Sequence, residues 1–213
     1  VLLIRQDRGI NMKEIIPATL TQQENYKLLI GSIIPRPVAL VTTHSAQGIV
    51  NVAPFSFFNI VSSNPPVVSL SVQRKNGIEK DTARNLREQG EGVIHILDEE
   101  NVFEANETAA NLAPEESELS VAKLTLVPSS KVLTPGLQEA KVRFEVSVLE
   151  RIDIKKEEMV TADFFLLQIE NYVIAEEVYE DGKINPHKLA PVSRLAGQDY
   201  SKLGEIFSLT RPK

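Results

Sequence analysis

Short apolar runs, one of them cleanly alternating, punctuate this chain between tight turns. Residues 142–149 (VRFEVSVL) set Val142, Phe144, Val146 and Val148 on one side, the period of a half-buried strand. Residues 38–43 (VALVTT), 67–72 (VVSLSV) and 93–97 (VIHIL) are short apolar or β-branched runs that read as strands. Residues 49–58 (IVNVAPFSFF) read as another strand, broken or bulged at Pro54, and 164–179 hold one long strand or two short ones. Helical spacing is rarer. Thr21 and Glu24 form a capping box for a short helix that Gly31 ends. Residues 81–89 predict a second helix, capped by Asp81, with Ala83 and Leu86 inward. Residues 99–112 predict a third, capped by Asp98, with Val102, Ala105, Ala109 and Leu112 on one face. Asp181-Gly182 is a hairpin turn signal. At least six strands without regular crossover helices argue for a closed or split antiparallel barrel with peripheral helices. This is a mainly β fold with some α, in one domain over 1–213. The polar tail, 185–213, is expected to pack on the barrel or on a partner subunit.

Composition narrows the chemistry. The 213 residues contain no cysteine, which removes disulfides, thiolate nucleophiles and Cys-ligated metals. Any redox chemistry needs a borrowed cofactor. The net charge of −6 argues against nucleic acid or an anionic membrane as main partner. No apolar run approaches the roughly 18 residues of a membrane-spanning helix, and the cytoplasm is the expected location. Met12 reads as a native start, with 1–11 a non-native or disordered extension. His44, His95 and His187 are scattered, so no metal site is expected, and His95 reads as a satisfied inner or interface histidine. The dinucleotide glycine fingerprint, the P-loop, the nucleophile elbow and the zinc-protease helix are all missing.

Three segments hold chemistry of another kind. Ile34-Pro35-Arg36-Pro37 stiffens the backbone before a strand. Such a stretch suits a flat ligand, although spacing alone favours a plain stiff lead-in with Arg36 in solvent. Lys80-Asp81-Thr82-Ala83-Arg84-Asn85 opens a helix, whose first turn offers free N–H groups and a partial positive charge. That is anion-site chemistry, although an ordinary capped surface helix is the more common use of these residue types. Asn51-Val52-Ala53-Pro54-Phe55-Ser56-Phe57-Phe58 fits a wall for a flat heterocycle, or a strand packed with phenylalanine.

Taken in order, these segments resemble the flavin reductase-like family with an FMN-binding split barrel, which includes the flavoredoxins. The resemblance rests on IIPRPVALVTT (33–43), Gly48 with NVAPFSFF (51–58), Pro65-Pro66 and KDTARN (80–85). It continues through Asp181-Gly182-Lys183-Ile184, LAPVSRL (189–195) and Tyr200, with Ala196-Gly197 where relatives often carry two glycines. It implies a six-stranded Greek-key barrel that binds FMN and pairs as a homodimer, with the flavin near the subunit interface. By the same resemblance Lys80, Thr82 and Asn85 would hold the phosphate, with Ser71 from the preceding strand. The isoalloxazine would lie along Arg36, Pro37 and Val38 and along Asn51, Val52 and Ala53. Ser56 and Phe57 would meet the ring or the ribityl chain, and Arg194 and Tyr200 would cover the site. The implied activity is NAD(P)H:flavin oxidoreductase, with NADH or NADPH as donor and an oxygenase or other redox protein as partner. Such a reaction needs stacked rings and charge stabilisation rather than a side-chain base, so no catalytic residue is expected. A flavoredoxin-like FMN electron carrier is the other reading. A third, a structural protein that has lost its flavin, sits poorly with an intact KDTARN.

Overall fold

The computed structural model describes residues 3–7, 10–109 and 117–212. Seven strands form the main sheet: β1 (Ala39–His44), β2 (Val50–Phe55), β3 (Phe58–Ser63), β4 (Pro66–Gln73), β5 (Glu91–Ile96), β6 (Val142–Lys156) and β7 (Met159–Ile174). Their spatial order is β2-β1-β5-β6-β7-β4-β3, with every neighbouring pair antiparallel. The two outermost strands, β2 and β3, are consecutive in sequence, with only Ser56 and Phe57 between them. The sheet must therefore curl until its edges meet. The Ser71 N–H donates to the Phe57 carbonyl at 2.9 Å beside that corner. The expected single strand over 49–58 thus becomes two, which raises the strand count from six to seven.

The barrel interior follows from the alternation. Ala39 and Val41 of β1 meet Val68, Leu70 and Val72 of β4, Ile94 of β5, and Phe165 and Leu167 of β7. Helix α2 (Asp81–Gln89) adds Ala83 and Leu86 to this core. The opposite face of β1 is buried as well, because Leu40 packs with Val52, Leu97, Ala105, Leu137 and Val192. That explains why VALVTT lacks a polar face. Strand β2 would present a bare outer edge. Its Val52 N–H instead donates to Glu118 Oε2 at 2.8 Å, and Ser117 Oγ donates to the Val50 carbonyl at 2.5 Å.

Helix α1 (Gln22–Ser32) carries the expected Thr21–Glu24 capping box. It runs through Gly31 to Ser32, because the stop comes from Arg36 as described below and not from a glycine turn. Helix α2 has Lys80, not Asp81, at its N-cap, and ends at Gly90 in the left-handed region, φ 73°. Helix α3 is only Val102–Glu107. Asp98 Oδ1 accepts the N–H groups of Glu100 and Asn101, a local turn that delays the helix, and 110–112 lie outside the described residues. The tail returns to its own barrel. Ser193–Arg194 pairs with Arg36–Pro37 on one side and with Tyr200–Ser201 on the other. Near the start, Leu3–Asp7 pairs with Ile10–Glu14.

Two buried polar groups anchor the barrel. Asp163, fully buried, accepts paired bonds from Arg74 (2.8 and 2.8 Å) and further bonds from Arg151 (2.7 and 3.2 Å). Burial alone would raise its pKa, but the two guanidinium groups outweigh that and hold it low. His95, also fully buried, donates from Nδ1 to the Leu40 carbonyl at 2.8 Å and accepts the Leu137 N–H on Nε2 at 2.9 Å. Both ring nitrogens are used, so one neutral tautomer is fixed. Burial pushes its pKa down from 6.5 to about 4. Between those values only the unfolded chain takes up the proton, so stability falls as pH drops from 6.5 towards 4. A His95→Gln variant is expected to show a smaller loss of urea midpoint between about pH 7 and about pH 5 than the wild type.

Candidate functional site

The functional segments converge on one trough beside α2 and the α1–β1 connection. It is made of three clefts in a row. The first, about 230 Å³, is lined by Asn51, Ala53, Pro54, Phe55, Lys80, Asp81, Thr82, Thr108, Ala109 and Glu118. The second, about 370 Å³, shares Pro54, Lys80 and Ala109 with it and adds Tyr26, Arg36, Val38, Ser56, Arg194 and Tyr200. The third, about 350 Å³, shares Arg36 and Ser56 with the second. Its walls are Pro35, Pro37, Phe57, Phe58 and Phe164, with Leu29, Ile33, Ser69 and Ser71. Among the expected residues only Val52 and Asn85 do not line this trough.

The first cleft is the polar end. Lys80 Nζ stands 5.8 Å from the centre of the Phe55 ring and has no carboxylate within ion-pair distance among the described residues. The residue is exposed along its length, but the ammonium is crowded enough that desolvation lowers its pKa. It sits at the N-cap of α2 with no side-chain cap, so the first-turn N–H groups have no intrahelical acceptor. Two acids lie close by. Asp81 is paired with Arg84 at 2.6 Å. Burial raises the pKa of Glu118, against the Val52 N–H bond that lowers it, with Asp81 nearby adding to the rise. Among the described residues Lys80 therefore faces the cleft as a cation without an ion-pair partner.

Beneath the helix start lies a small polar network. Asn51 Nδ2 donates to Thr82 Oγ1 at 2.8 Å. Asn85 Nδ2 donates to Thr43 Oγ1 at 3.1 Å. Asn85 is 1% exposed and points into the barrel, so it pins α2 onto β1 rather than facing the trough. Val52 is fully buried and its N–H is taken by Glu118.

Arg36 forms the floor between the second and third clefts. Against the expectation of a solvated side chain, it is 6% exposed. Nη1 donates to the carbonyls of Ile30 (2.8 Å) and Ile33 (2.6 Å), Nη2 to Leu195 (2.8 Å), and Nε to Ser56 Oγ at 3.4 Å. The guanidinium thus caps the C-terminus of α1, where the helix dipole favours a cation, and ties down the tail. Arg194 donates to the Tyr200 hydroxyl at 2.5 Å and the Gly197 carbonyl at 2.6 Å, with its guanidinium 4.5 Å above the Tyr200 ring. This pair covers the second cleft. Ser71 lies in the third cleft and not beside Lys80, because its register opposite Phe164 carries it to the apolar end. Tyr26 and Glu118 line the trough without any sequence signal that singled them out.

Among the described residues no group of three or more metal-ligating side chains gathers, and no helix is long and apolar enough to cross a membrane. Residues 30–187 match the family model described as flavin reductase like domain. The chain belongs to the flavin reductase-like family. The match takes in the lead-in to β1, β2, α2 and the turn at 181–182, and so most of the residues that line the trough. A relative in this comparison, from Halalkalibacterium halodurans, is 48% identical and covers 92% of this chain and 95% of its own. Nitrilotriacetate monooxygenase component B from Bacillus cereus has a similar structure, with TM-score 0.91 and 49% identity over 93% of this chain and 98% of that one. The 2-nitrobenzoate 2-nitroreductase of Pseudomonas fluorescens superposes with TM-score 0.84 and 27% identity, covering 93% of this chain and 96% of that one. The barrel closed by the β2–β3 corner is the split barrel of this family.

Proposed function

We propose that the chain binds FMN along the trough and acts as an NAD(P)H:flavin oxidoreductase, serving as the reductase component of a two-component monooxygenase. One observation carries the reading. Among the described residues the trough has an ammonium without an ion-pair partner, an uncapped helix N-terminus and a buried hydroxyl at one end, and flat proline and phenylalanine walls at the other. That donor set fits a molecule with a phosphate at one end and a planar ring at the other. Lys80, Thr82 and the first-turn N–H groups of α2 would hold the phosphate. Ala53, Pro54, Val38 and Ser56 would line the path between, and Pro37 and Phe57 would meet the ring. The chemistry that bound FMN would supply is acceptance of a hydride from a nicotinamide donor. The chain's part in that step is to hold and orient the rings. Its residues orient the ring, keep water off its face and place cationic side chains near it, which favours negative charge on the reduced form.

The relation to a monooxygenase component B supports an oxygenase as the consumer of reduced flavin. The homodimer belongs to the same proposal, with the exposed Leu29, Ile33 and Ile34 beside the apolar end as the surface that meets a second copy. A solution mass of one chain would remove that part. The activity is tested by an anaerobic visible spectrum of the FMN-loaded protein before and after NADH and then NADPH. Bleaching of the oxidised-flavin band is the expected result. Binding without bleaching by either donor would instead fit an electron carrier with a protein partner.

A further inference from the structure

We propose that Asn51 is a positioning residue for the phosphate: it aims the Thr82 hydroxyl proton into the first cleft and does not itself meet the flavin ring. This inference rests on the FMN reading above. Three observations carry it. First, Asn51 Nδ2 donates to Thr82 Oγ1 at 2.8 Å, and both side chains are buried, 8% and 1% exposed. A hydroxyl that accepts on one lone pair keeps its single proton for another acceptor. Second, that proton has no acceptor of its own among the described residues. A threonine inside a helix usually returns its proton to a carbonyl one turn back. Thr82 is the second residue of α2, so the chain before it is not helical and offers no such carbonyl. Third, Thr82 and Asn51 both line the cleft that Lys80 faces. Among the described residues the direction left for the proton is the cleft, where an anion would be the acceptor.

The partner network shows why asparagine serves at position 51. Asn51 stands opposite Thr43 in the β1–β2 register, and Thr43 Oγ1 is already held by Asn85. Asn51 therefore has one hydroxyl to serve, that of Thr82. An amide N–H can only donate, which forces the hydroxyl to act as donor elsewhere. A carboxylate in its place would accept the proton and turn the hydroxyl away from an anion.

The test is a flavin fluorescence titration of the apoprotein with FMN and, separately, with riboflavin, which lacks the phosphate. In Asn51→Ala, FMN affinity is expected to fall about tenfold, with riboflavin affinity within about twofold of wild type. Asn51→Asp, nearly the same shape, is expected to lose at least as much for FMN and equally little for riboflavin, which keeps the test open should the alanine variant fold poorly. In a Thr82→Val background, Asn51→Ala is expected to change FMN affinity no further. Equal losses for both flavins would place Asn51 on the ring and overturn the proposal. Additive losses in the double variant would also overturn it. A wild type that binds FMN and riboflavin equally well overturns the phosphate assignment, and the positioning role with it. A wild type that binds neither flavin fails the FMN reading as a whole.

Discussion

Replacing Lys80 with methionine is expected to weaken FMN binding by about two orders of magnitude, while riboflavin binding and the fold are preserved. Methionine keeps the apolar stem and removes the charge. A charge-assisted hydrogen bond to a phosphate contributes about 1.5–3 kcal/mol, and Coulomb attraction at about 4 Å adds up to a few more at an effective dielectric near 20. Part of that sum is offset by desolvation, which already lowers the Lys80 pKa. A net of about 3 kcal/mol corresponds to roughly a hundredfold in affinity. The cost to the apoprotein is small. The contact of Lys80 with the Phe55 ring at 5.8 Å is lost, worth about 0.5–1 kcal/mol, and the crowding of an unpaired ammonium is relieved. The two nearly cancel, so the melting temperature should move by no more than a few degrees. Raising salt should weaken FMN binding in the wild type and have less effect in the variant. Unchanged FMN affinity in the variant would place the phosphate elsewhere.

The second large effect is on stability and concerns Arg36. Arg36→Leu removes the donors to the Ile30, Ile33 and Leu195 carbonyls together with the bond to Ser56. The Ile33 end is exposed and can take water, but the bond to Ile30 is buried. Leaving such groups unpartnered costs about 1–3 kcal/mol each where water cannot reach. The expected loss is about 3–5 kcal/mol, or a melting temperature lower by roughly ten degrees for a chain of this size. The tail should loosen with it, because Arg36 is a direct tie to Leu195. Proteolysis near 195–200 is expected to quicken before the barrel unfolds. Arg36→Lys is expected to rescue only part of this, since one ammonium cannot span the three directions of a guanidinium fork. A variant that melts with the wild type would show that the clamp carries no stability.

These two residues also show what the sequence could and could not disclose. The polar character of the segment around Lys80 could be read from the sequence because a helix start is local grammar. A cation, a hydroxyl and free N–H groups within a few residues offer anion-site chemistry, which an ordinary surface helix start shares. The strands 38–43, 67–72 and 142–149 were legible for the same reason, since a β-branched run or period two over a few residues needs no distant partner. Arg36 was misplaced in solvent because its partners lie on α1 and 159 residues away on the tail. The Asp163 cluster with Arg74 and Arg151 was invisible, because it is the β4–β7 and β6–β7 registers that bring it together. Ser71 was grouped with the phosphate contacts by resemblance, whereas its register opposite Phe164 sets it in the third cleft. Asn51 was placed along the ring by resemblance, and only the barrel's closure under α2 reveals its bond to Thr82.

The central claim is that one trough holds FMN with its phosphate at the start of α2 and its ring towards the proline and phenylalanine walls. A crystal structure of the chain grown with FMN tests it most directly. The expected result is phosphate density within hydrogen-bond distance of Lys80 Nζ and Thr82 Oγ1, with the ring between Ser56, Pro37 and Phe57. Phosphate density away from α2, or a ring stacked against Asn51, would contradict the account.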